Sequence, residues 1–341
     1  DIAASIQLVT EEIMLSAARH VHRETGQRHL CLAGGVALNC VANGKLQRAG
    51  VFDEIWIQPA AGDAGGALGA ALEAWHQFKN AEPKGEGEPV WPSAGGDSMR
   101  GSLLGPEFSE SEIRRALEAH GAVFERLDET AMLERAAGLL ADGAMLGWFQ
   151  GRMEFGPRSL GGRSILGDAR LASMQSAINQ KVKFRESFRP FAPAVLEERA
   201  GEYFDLTAES PYMLLVADVA KSQRLARPAD ESAGFARLKH ARSTLPAVTH
   251  VDGSARVQTV GRERHPFFWR LLRQFEQRTG CGVLLNTSFN VRGEPVVCTP
   301  DDAYRCFVNT AIDWLAIGPF LLSRERQPVE KPQPAFDPIP D

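Results

Sequence analysis

Two short apolar strands near the start of the chain each lead through glycines into a helix. The first strand covers residues 29–33 and runs into Gly34 and Gly35, and the second covers residues 55–57. Strands that alternate with helices in this way predict an α/β domain. Because two strands make an incomplete sheet, we expect residues 1–80 to be half of a larger domain.

A stretch that is rich in glycine, proline and glutamate follows this region and shows no periodicity. Such a composition is typical of a linker. The 341 residues are enough for two domains, each with its own core. We therefore predict a linker over residues 81–106, a second domain of mixed α/β structure over 107–326 and a proline-rich tail over 327–341. The chain starts at Asp1 without a methionine, and we expect it to be a fragment or a processed product.

Local patterns predict where individual elements begin. Ser109 is followed three residues later by Glu112, which predicts a capping box and the start of a helix. Thr299 followed by Pro300 predicts a second helix start. Apolar spacing and glycine positions predict helices over residues 2–24, 36–46 and 67–78, and strands over 145–149, 191–196, 213–219, 255–260, 283–286 and 314–317.

The first glycine pair has a chemical interpretation as well as a structural one. Gly34 and Gly35 lack a Cβ atom, so their backbone allows close approach of a ligand, and the helix that follows offers N–H donors to an anion. Asn39, one turn into that helix, is placed to contact a ribose or a base. The alternative is a tight turn between strand and helix that binds nothing, and this segment by itself does not decide between them.

The second glycine-rich segment, PAAGDAGGALG over residues 59–69, contains a carboxylate at Asp63. An aspartate at such a junction binds a metal ion or caps the helix, and capping is the commoner role of a lone aspartate. Two glycine-rich segments at successive strand ends favour nucleotide binding.

Basic residues are concentrated in one part of the second domain. Seven cations lie between Arg158 and Arg189, although the chain has 38 Lys and Arg against 43 Asp and Glu. A solvated helix face is the usual explanation of such a run. Here phenylalanines and prolines are interleaved with the cations, and part of the run lies in a predicted glycine-rich loop over residues 156–165. Arginine and lysine in such a setting indicate an anion site.

Two later segments carry further polar groups at strand ends. Arg256 lies at the start of one predicted strand, and Ser288 and Asn290 follow another. Ser288 has no G-x-S-x-G context and no evident histidine and aspartate partners, so a nucleophile is disfavoured. We interpret its hydroxyl as a phosphate contact.

These segments together resemble one enzyme family. LAGGVALN, GDAGGALGAAL, GPRSLGGRSIL, KVKFRESFRPFAP, HVDGSARVQTV and LLNTSFNVRGEP occur in this order, and the order is similar to that of the O-carbamoyltransferases, which act on nodulation factors and on cephem, aminoglycoside and ansamycin antibiotics. The resemblance implies that residues 1–80 are the second half of an actin/Hsp70-like (ribonuclease H-like) domain. It also implies that residues 107–326 are similar to threonylcarbamoyl-adenylate synthases.

The resemblance also implies roles for individual residues. In the first domain, it assigns carbamoyl-adenylate binding to Gly34, Gly35 and Asn39 and makes Asp63 a ligand of Fe²⁺, with the remaining ligands in a missing N-terminal half. In the second domain, it assigns binding of carbamoyl phosphate and ATP with Mg²⁺ to Arg158, Lys183, Arg189, Arg256 and Ser288, with Asn290 as a weaker addition. Arg158, Lys183 and Arg189 are the implied catalytic residues.

The implied reaction has two stages. Carbamoyl phosphate and ATP form carbamoyl-adenylate, and the carbamoyl group then passes to a hydroxyl of a small-molecule acceptor. We expect this chain alone to carry out the first stage and to lack full transfer activity. Two alternatives remain open: a tRNA-modifying threonylcarbamoyl transferase, and a nucleotide-binding regulatory fragment without turnover.

Composition restricts the partners further. The net charge of −5 argues against a nucleic acid partner. No apolar run approaches the roughly 18 residues of a membrane span. The five cysteines form no CxxC pair, which is typical of reduced thiols, and we expect a cytoplasmic protein.

Overall fold

Two short strands and three helices make up most of the first unit of the computed structural model. The structure describes residues 1–81, 97–226 and 240–328. Of these residues, 1–81, 97–102, Phe155–Pro157 and Leu214–Val216 form the first unit, and 103–154, Arg158–Met213, 217–226 and 240–328 form the second.

In the first unit, two parallel strands carry the glycine-rich segments at their carboxyl ends. β1 (His29–Leu32) pairs with β2 (Glu54–Ile57) in parallel. Helix α1 (Ile2–Thr25) precedes them, α2 (Cys40–Arg48) connects them and α3 (Asp63–Ala81) follows. The small core centres on Ala18, Leu46 and Phe52.

The first unit leaves large apolar side chains in solvent. In α1, the exposed fraction of Ile2 is 88% and that of Ile13 is 62%, and in α3 that of Phe78 is 63%. A soluble domain normally covers apolar faces of this size. The predicted helix over residues 2–24 is therefore present, but much of its apolar face is not packed within the described residues.

Two predicted boundaries in the first unit were wrong. Residues Gly35–Leu38 form a 3₁₀ turn, and α2 starts only at Cys40 because Asn39 caps it. Helix α3 starts at Asp63, four residues before the predicted start, so the second glycine-rich segment is largely helical. Helix formation here prevails over the low intrinsic helix propensity of glycine.

The second unit is built on a nine-stranded mixed sheet, with the strand order β3-β11-β10-β4-β5-β9-β6-β8-β7. Strands β4, β5, β6 and β11 are buried along their whole length. The strands are β3 (Glu125–Arg126), β4 (Leu146–Phe149), β5 (Arg163–Asp168), β6 (Ala192–Leu196), β7 (Leu215–Asp218), β8 (Ser254–Val260), β9 (Val283–Ser288), β10 (Trp314–Ile317) and β11 (Phe320–Ser323). All six predicted strands are present, and β3, β5 and β11 were missed.

Six helices accompany this sheet among the described residues: α4 (Glu110–Ala119), α5 (Glu129–Ala141), α6 (Ala172–Lys181), α7 (Ala200–Tyr203), α8 (Pro266–Thr279) and α9 (Pro300–Val308). The capping box at Ser109 and the helix start at Thr299 are confirmed, and Thr299 also forms a capping box with Asp302 that was not predicted. The core between sheet and helices is aromatic, with Trp148, Phe268 and Phe307 fully buried. The mixed α/β class predicted from the sequence is confirmed.

Residues 82–96 of the predicted linker and residues 329–341 of the predicted tail lie outside the described residues. Within the part of the linker that is described, Met99 and Ser102 are buried. Near the C-terminus, Gln327 is also buried, and its Nε2 donates to the carbonyl oxygens of Val123 and Ser323. None of the described helices is long and apolar enough to cross a membrane.

Candidate functional site

Polar side chains gather at one end of the central strands of the second unit. Asn286 of β9 donates through Nδ2 to Oε1 of Gln258 of β8 over 2.7 Å, across the intervening strand β6. Their side chains therefore share a face of the sheet. Ser288 and Arg256 lie two residues along from them and share that face, because strand side chains alternate. Ser288 and Arg256 lie at the end of the sheet where β9 ends and where β6 and β8 begin.

The amine of Lys183 is enclosed by Ser288 and Asn290 at this end of the sheet. Nζ donates to the carbonyl oxygen of Ser288 at 2.5 Å, to Oδ1 of Asn290 at 2.7 Å and to the carbonyl oxygen of Asn290 at 2.9 Å. It also lies 3.2 Å from Oγ of Ser288, which itself donates to Oδ1 of Asn290 over 2.6 Å. Three residues that the resemblance assigned to the site for carbamoyl phosphate and ATP are thus in direct contact.

Burial strongly affects the charge of this amine. Lys183 is only 4% exposed, and burial lowers its pKa from 10.5 to about 7. Burial also raises the pKa of the neighbouring Cys306 thiol to about 12, so the thiol is neutral at pH 7. The acceptors around Nζ are neutral oxygens, so a bound anion would favour the protonated amine.

The turn that connects α6 to β6 is held by Asn179, which is fully buried. Its Nδ2 donates to the carbonyl oxygens of Ser187 and Arg189, and its Oδ1 accepts from Nε of Arg185 over 2.7 Å. These bonds place Arg189 directly before β6. Its side chain is half exposed, and its Nε lies 3.1 Å from Oε2 of Glu186. The sequence assigned no role to Asn179, although a buried asparagine beside a predicted anion loop is a usable signal.

The segment after Arg158 is fixed to the sheet by polar groups. Asn286 donates through Nδ2 to the carbonyl oxygen of Ser159, and Gln258 donates through Nε2 to the carbonyl oxygen of Leu160. These are the two residues that define the polar face of β8 and β9. Arg158, which is half-buried, therefore precedes a segment that is anchored next to Ser288 and Arg256.

Glu154 organises the same segment from inside. Its buried carboxylate accepts the backbone N–H of Leu160 at 2.5 Å, of Gly162 at 2.8 Å and of Arg163 at 3.2 Å. A carboxylate that satisfies three backbone donors holds a loop in one conformation. Sequence reasoning missed this residue, since a single glutamate before a glycine-rich loop has no distinctive pattern.

Arg163 was counted among the cations of the anion site, and the structure gives it a different role. It begins β5 instead of lying in a loop, and it is fully buried. Its guanidinium donates to the carbonyl oxygens of Gly151 and Pro106 and lies 3.5 Å from the ring centroid of Phe149. Burial lowers its pKa to about 10. Arg163 is thus a structural cation: its Nη1 and Nη2 donate to backbone carbonyl oxygens, and its buried Nε has no hydrogen-bond partner among the described residues.

Arg256 lies close to a second polar group. Burial lowers the pKa of His250; the charge of Asp252 opposes this shift, and the charge of Arg256 adds a smaller contribution in the same direction as burial. Nδ1 of His250 lies 3.0 Å from Oγ of Ser254, and that hydroxyl donates to Asp252 over 2.6 Å. The HVDGSAR segment therefore forms a fixed turn at the start of β8.

In the first unit, the two glycine-rich segments lie side by side. The N–H of Gly34 donates to the carbonyl oxygen of Ala61 over 2.9 Å. Gly34 has a φ of +97°, a conformation that requires glycine, and the space around both Gly34 and Gly35 is open. These positions allow the close approach of a ligand that the sequence predicted.

Asn39 uses its side chain within the chain. Its Oδ1 accepts the N–H of Ala42 at 3.1 Å and caps α2. Its Nδ2 donates to Oε1 of Gln7 over 2.9 Å, and Nε2 of Gln7 donates back to Oδ1 over 3.2 Å. A nucleotide contact by Asn39 would have to share or replace these bonds, and it stays a prediction.

Asp63 is an exposed first residue of α3, a position where a carboxylate interacts favourably with the helix dipole. Across the described ranges there is no group of three or more His, Cys, Asp and Glu side chains that could hold a metal ion. The residues present therefore do not build an iron site around Asp63.

The fold and the site together define a mixed α/β protein with a cationic site at one sheet end. Residues 1–72 match a family model described as "Carbamoyltransferase N-terminus", and residues 137–324 match one described as "Carbamoyltransferase C-terminus". The chain therefore belongs to the carbamoyltransferase family. The second match includes all the site residues of the sheet end, and the first includes both glycine-rich segments.

Three relatives illustrate the extent of the similarity. The chain is 55% identical over 332 residues to "Uncharacterized protein sll1178" of Synechocystis sp., and it covers 53% of that protein. It is 43% identical over 327 residues to "Nodulation protein NolO" of Bradyrhizobium diazoefficiens, covering 54% of it, and 43% identical over 330 residues to "Nodulation protein NolNO" of Sinorhizobium fredii, covering 44%. These alignments include 95–96% of this chain. The chain thus spans about half the length of the curated relatives it matches.

Proposed function

We propose that this chain carries the carbamoyl-adenylate-forming part of an ATP-dependent O-carbamoyltransferase, together with part of its transfer domain. In this proposal the second unit is similar in fold to threonylcarbamoyl-adenylate synthases, and the first unit is the second half of an actin/Hsp70-like domain. A cytoplasmic location belongs to the same proposal.

The observation that carries the proposal is the buried amine of Lys183. Four neutral oxygen contacts from Ser288 and Asn290 position Nζ, and no acidic side chain of the described residues pairs with it. A buried ammonium is costly unless an anion compensates for it. Arg256 and the anchored segment after Arg158 lie at the same sheet end, so a multiply charged phosphate compound suits the site.

The first stage of the reaction needs charge neutralisation and alignment more than covalent catalysis. Carbamoyl phosphate reacts with water to give carbamate and phosphate, and a carbamate oxygen then attacks the α-phosphorus of ATP. The bond between the α-phosphorus and the pyrophosphate oxygen breaks, and pyrophosphate leaves with Mg²⁺. Lys183, Arg158, Arg189 and Arg256 would stabilise the negative charge on the reacting phosphates. The hydroxyl of Ser288, which donates to Oδ1 of Asn290 in this structure, would rotate to donate to a phosphate oxygen instead.

The second stage is assigned to the first unit and to a segment outside this chain. Gly34 and Gly35 would admit the adenylate, and a hydroxyl of a small-molecule acceptor would replace AMP at the carbamoyl carbon. The exposed apolar faces of α1 and α3, and the half-length coverage of the relatives, support an N-terminal half that completes this domain. Iron at Asp63 would need its other ligands from that half.

Pyrophosphate release tests the proposal. The purified chain is incubated with carbamoyl phosphate, ATP and Mg²⁺, with Lys183→Met and Lys181→Met as test and control variants. We expect pyrophosphate from wild type and Lys181→Met but not from Lys183→Met. Pyrophosphate that requires threonine and bicarbonate would instead favour a threonylcarbamoyl enzyme acting on tRNA. Tight ATP binding without any pyrophosphate would favour a regulatory nucleotide-binding module.

A further inference from the structure

His250 lies at the same end of the sheet as the residues assigned to phosphate, and the proposed reaction does not use it. Nδ1 of its ring contacts the hydroxyl of Ser254, the first residue of β8. Because side chains alternate along a strand, Ser254, Arg256 and Gln258 point to one face of the sheet. Gln258 shares this face with Asn286, so His250 borders the polar face on which the site is built.

The strand pairing places Ser254 opposite Ser288. β8 and β9 flank β6, where Gln258 is paired with Ala194 and Asn286 with the residue two positions earlier. Continuing this register beyond the start of β6 brings Ser254 level with Ser288. Two strand spacings separate them, which is about 10 Å. The two serines thus lie on opposite sides of the space that a small phosphate compound would occupy.

The hydrogen bonds of His250 decide which ring nitrogen carries the proton. The hydroxyl of Ser254 donates its one proton to Oδ1 of Asp252 over 2.6 Å. Nδ1 of His250 lies 3.0 Å from the same hydroxyl, so Nδ1 must be the donor of that bond. Burial lowers the pKa of His250, so the ring is neutral at pH 7.5. Its Nε2 therefore carries a lone pair instead of a proton.

Nε2 of His250 is accessible to a ligand. The side chain is half-buried, and none of the described residues forms a hydrogen bond with Nε2. This atom is also not one of the fully buried polar atoms that lack a partner, so it keeps accessible surface. The ring is therefore held through Nδ1 and presents an unused acceptor through Nε2.

This lone pair differs from the groups that bind phosphate. The amine of Lys183, the guanidinium of Arg256 and the hydroxyl of Ser288 are hydrogen-bond donors, as the oxygens of an ionised phosphate require. A lone pair repels such an oxygen and accepts only from an N–H or O–H group. Carbamoyl phosphate carries one group of this kind, which is the amino group at the end away from its phosphate.

We propose that His250 recognises the amino group of carbamoyl phosphate, with Nε2 accepting a hydrogen bond from the –NH₂ while the cations hold the phosphate. This inference rests on the proposed function and adds a specificity-determining residue to it. His250 selects carbamoyl phosphate over acetyl phosphate, which has a methyl group in place of the amino group. Asp252 and Ser254 hold the ring in the tautomer that this role needs.

Two stable phosphonates test this role without turnover. Phosphonoacetamide keeps the amino group, and acetonylphosphonate has a methyl group in its place with nearly the same shape. Calorimetric titration of the chain at pH 7.5 should give phosphonoacetamide an affinity about tenfold higher, since one lost hydrogen bond to a site group has about this effect. Lys183→Met should weaken the binding of both phosphonates equally, because Lys183 contacts the part that they share.

Two substitutions of His250 separate the roles of its two nitrogens. His250→Asn keeps an N–H group near Nδ1 that can donate to Ser254 but has no atom at the position of Nε2. It should bind both phosphonates with the affinity that wild type has for acetonylphosphonate. His250→Gln brings an amide oxygen near the position of Nε2 and should keep the preference for phosphonoacetamide. A purely structural role in the turn would instead change both affinities together.

A measurement on the unsubstituted protein completes the test. In ¹⁵N NMR spectra at pH 7.5, Nε2 of His250 should resonate as an unprotonated nitrogen and should shift with phosphonoacetamide but not with acetonylphosphonate. A protonated Nε2, equal affinities of wild type for the two phosphonates, or a preference that persists in His250→Asn would each overturn the inference and leave the phosphate site intact. If neither phosphonate binds to wild type, the phosphate site and the proposed function are contradicted as well.

Discussion

Replacing Lys183 with methionine should change how the stability of the protein depends on pH. Lys183 is 4% exposed, and burial lowers its pKa to about 7. In the unfolded chain the same amine has a pKa of about 10.4. Between these two values the unfolded state binds more protons than the folded state, so stability rises with pH across this window and is lost as pH falls towards 7.

The size of the effect follows from the two pKa values. Between pH 7 and pH 8.5, Lys183 adds about 2 kcal/mol to the free energy of unfolding. Most other ionisable groups do not change their protonation between pH 7 and pH 8.5. Burial lowers the pKa of His250 and His265, and their contribution is nearly complete by about pH 7. Burial raises the pKa of Cys281 and Cys306, which lowers stability only once unfolded thiols ionise, near pH 8.5.

Urea unfolding followed by circular dichroism at pH 7 and pH 8.5 measures this gain. Wild type should gain about 2 kcal/mol more than Lys183→Met over this range, because the thiols of the unfolded chain offset the same part of the gain in every variant at pH 8.5. Lys181→Met, which replaces an exposed lysine at the end of α6, should behave like wild type. Lys183→Met should lack this gain. If all three proteins gain stability equally, the amine of Lys183 is not buried in the state that the structure shows.

The same titration is coupled to anion binding. Sulfate keeps its charge across this pH range, and when bound beside Lys183 it would keep the amine protonated. Sulfate should therefore stabilise wild type more at pH 7 than at pH 8.5, and should give Lys183→Met no comparable stabilisation. Equal stabilisation of both proteins at both pH values would place the sulfate elsewhere.

Three further substitutions separate structural from ligand-binding roles. Arg163→Met should lower the free energy of unfolding by about 3 kcal/mol, because backbone carbonyls lose their donors. The affinity of the folded protein for sulfate, measured by calorimetry, should stay unchanged. Glu154→Gln should speed hydrogen exchange at the N–H groups of Leu160 and Gly162 and weaken sulfate binding; unchanged exchange would contradict the loop-positioning role. Asn39→Ala should destabilise the start of α2 by about 1 kcal/mol, seen as about fivefold faster exchange at the N–H that it caps, whereas Asn39→Asp should retain protection.

Local sequence patterns predicted the elements whose signals are local. The capping box at Ser109 depends on a residue three positions further on, and the helix start at Thr299 depends on the adjacent Pro300. The strand over Trp314–Ile317 is an apolar run with clear limits. Strand β5 was missed because it begins with Arg163 and contains a glycine and an aspartate, so only its buried position in the sheet identifies it. Helix α3 was placed too late because its first turn contains two glycines.

The site shows the same division between local and long-range information. The segments around Arg158, Lys183, Arg256 and Ser288 were recognisable by resemblance, and the structure brings Lys183 and Ser288 into contact although 105 residues separate them. Neither spacing nor composition predicts such a contact. Glu154 and Asn179 were missed because their roles depend on backbone groups that only the folded loop presents to them.

Detection of carbamoyl-adenylate is the most direct test of the central claim that this chain activates a carbamoyl group with ATP. The chain is incubated with ¹³C-labelled carbamoyl phosphate, ATP and Mg²⁺, and the nucleotides are analysed by mass spectrometry. We predict an AMP derivative that carries one ¹³C atom and forms in step with pyrophosphate, without threonine or bicarbonate. AMP and pyrophosphate that appear without any labelled adenylate, or a labelled product that is equally abundant with Lys183→Met, would contradict this account.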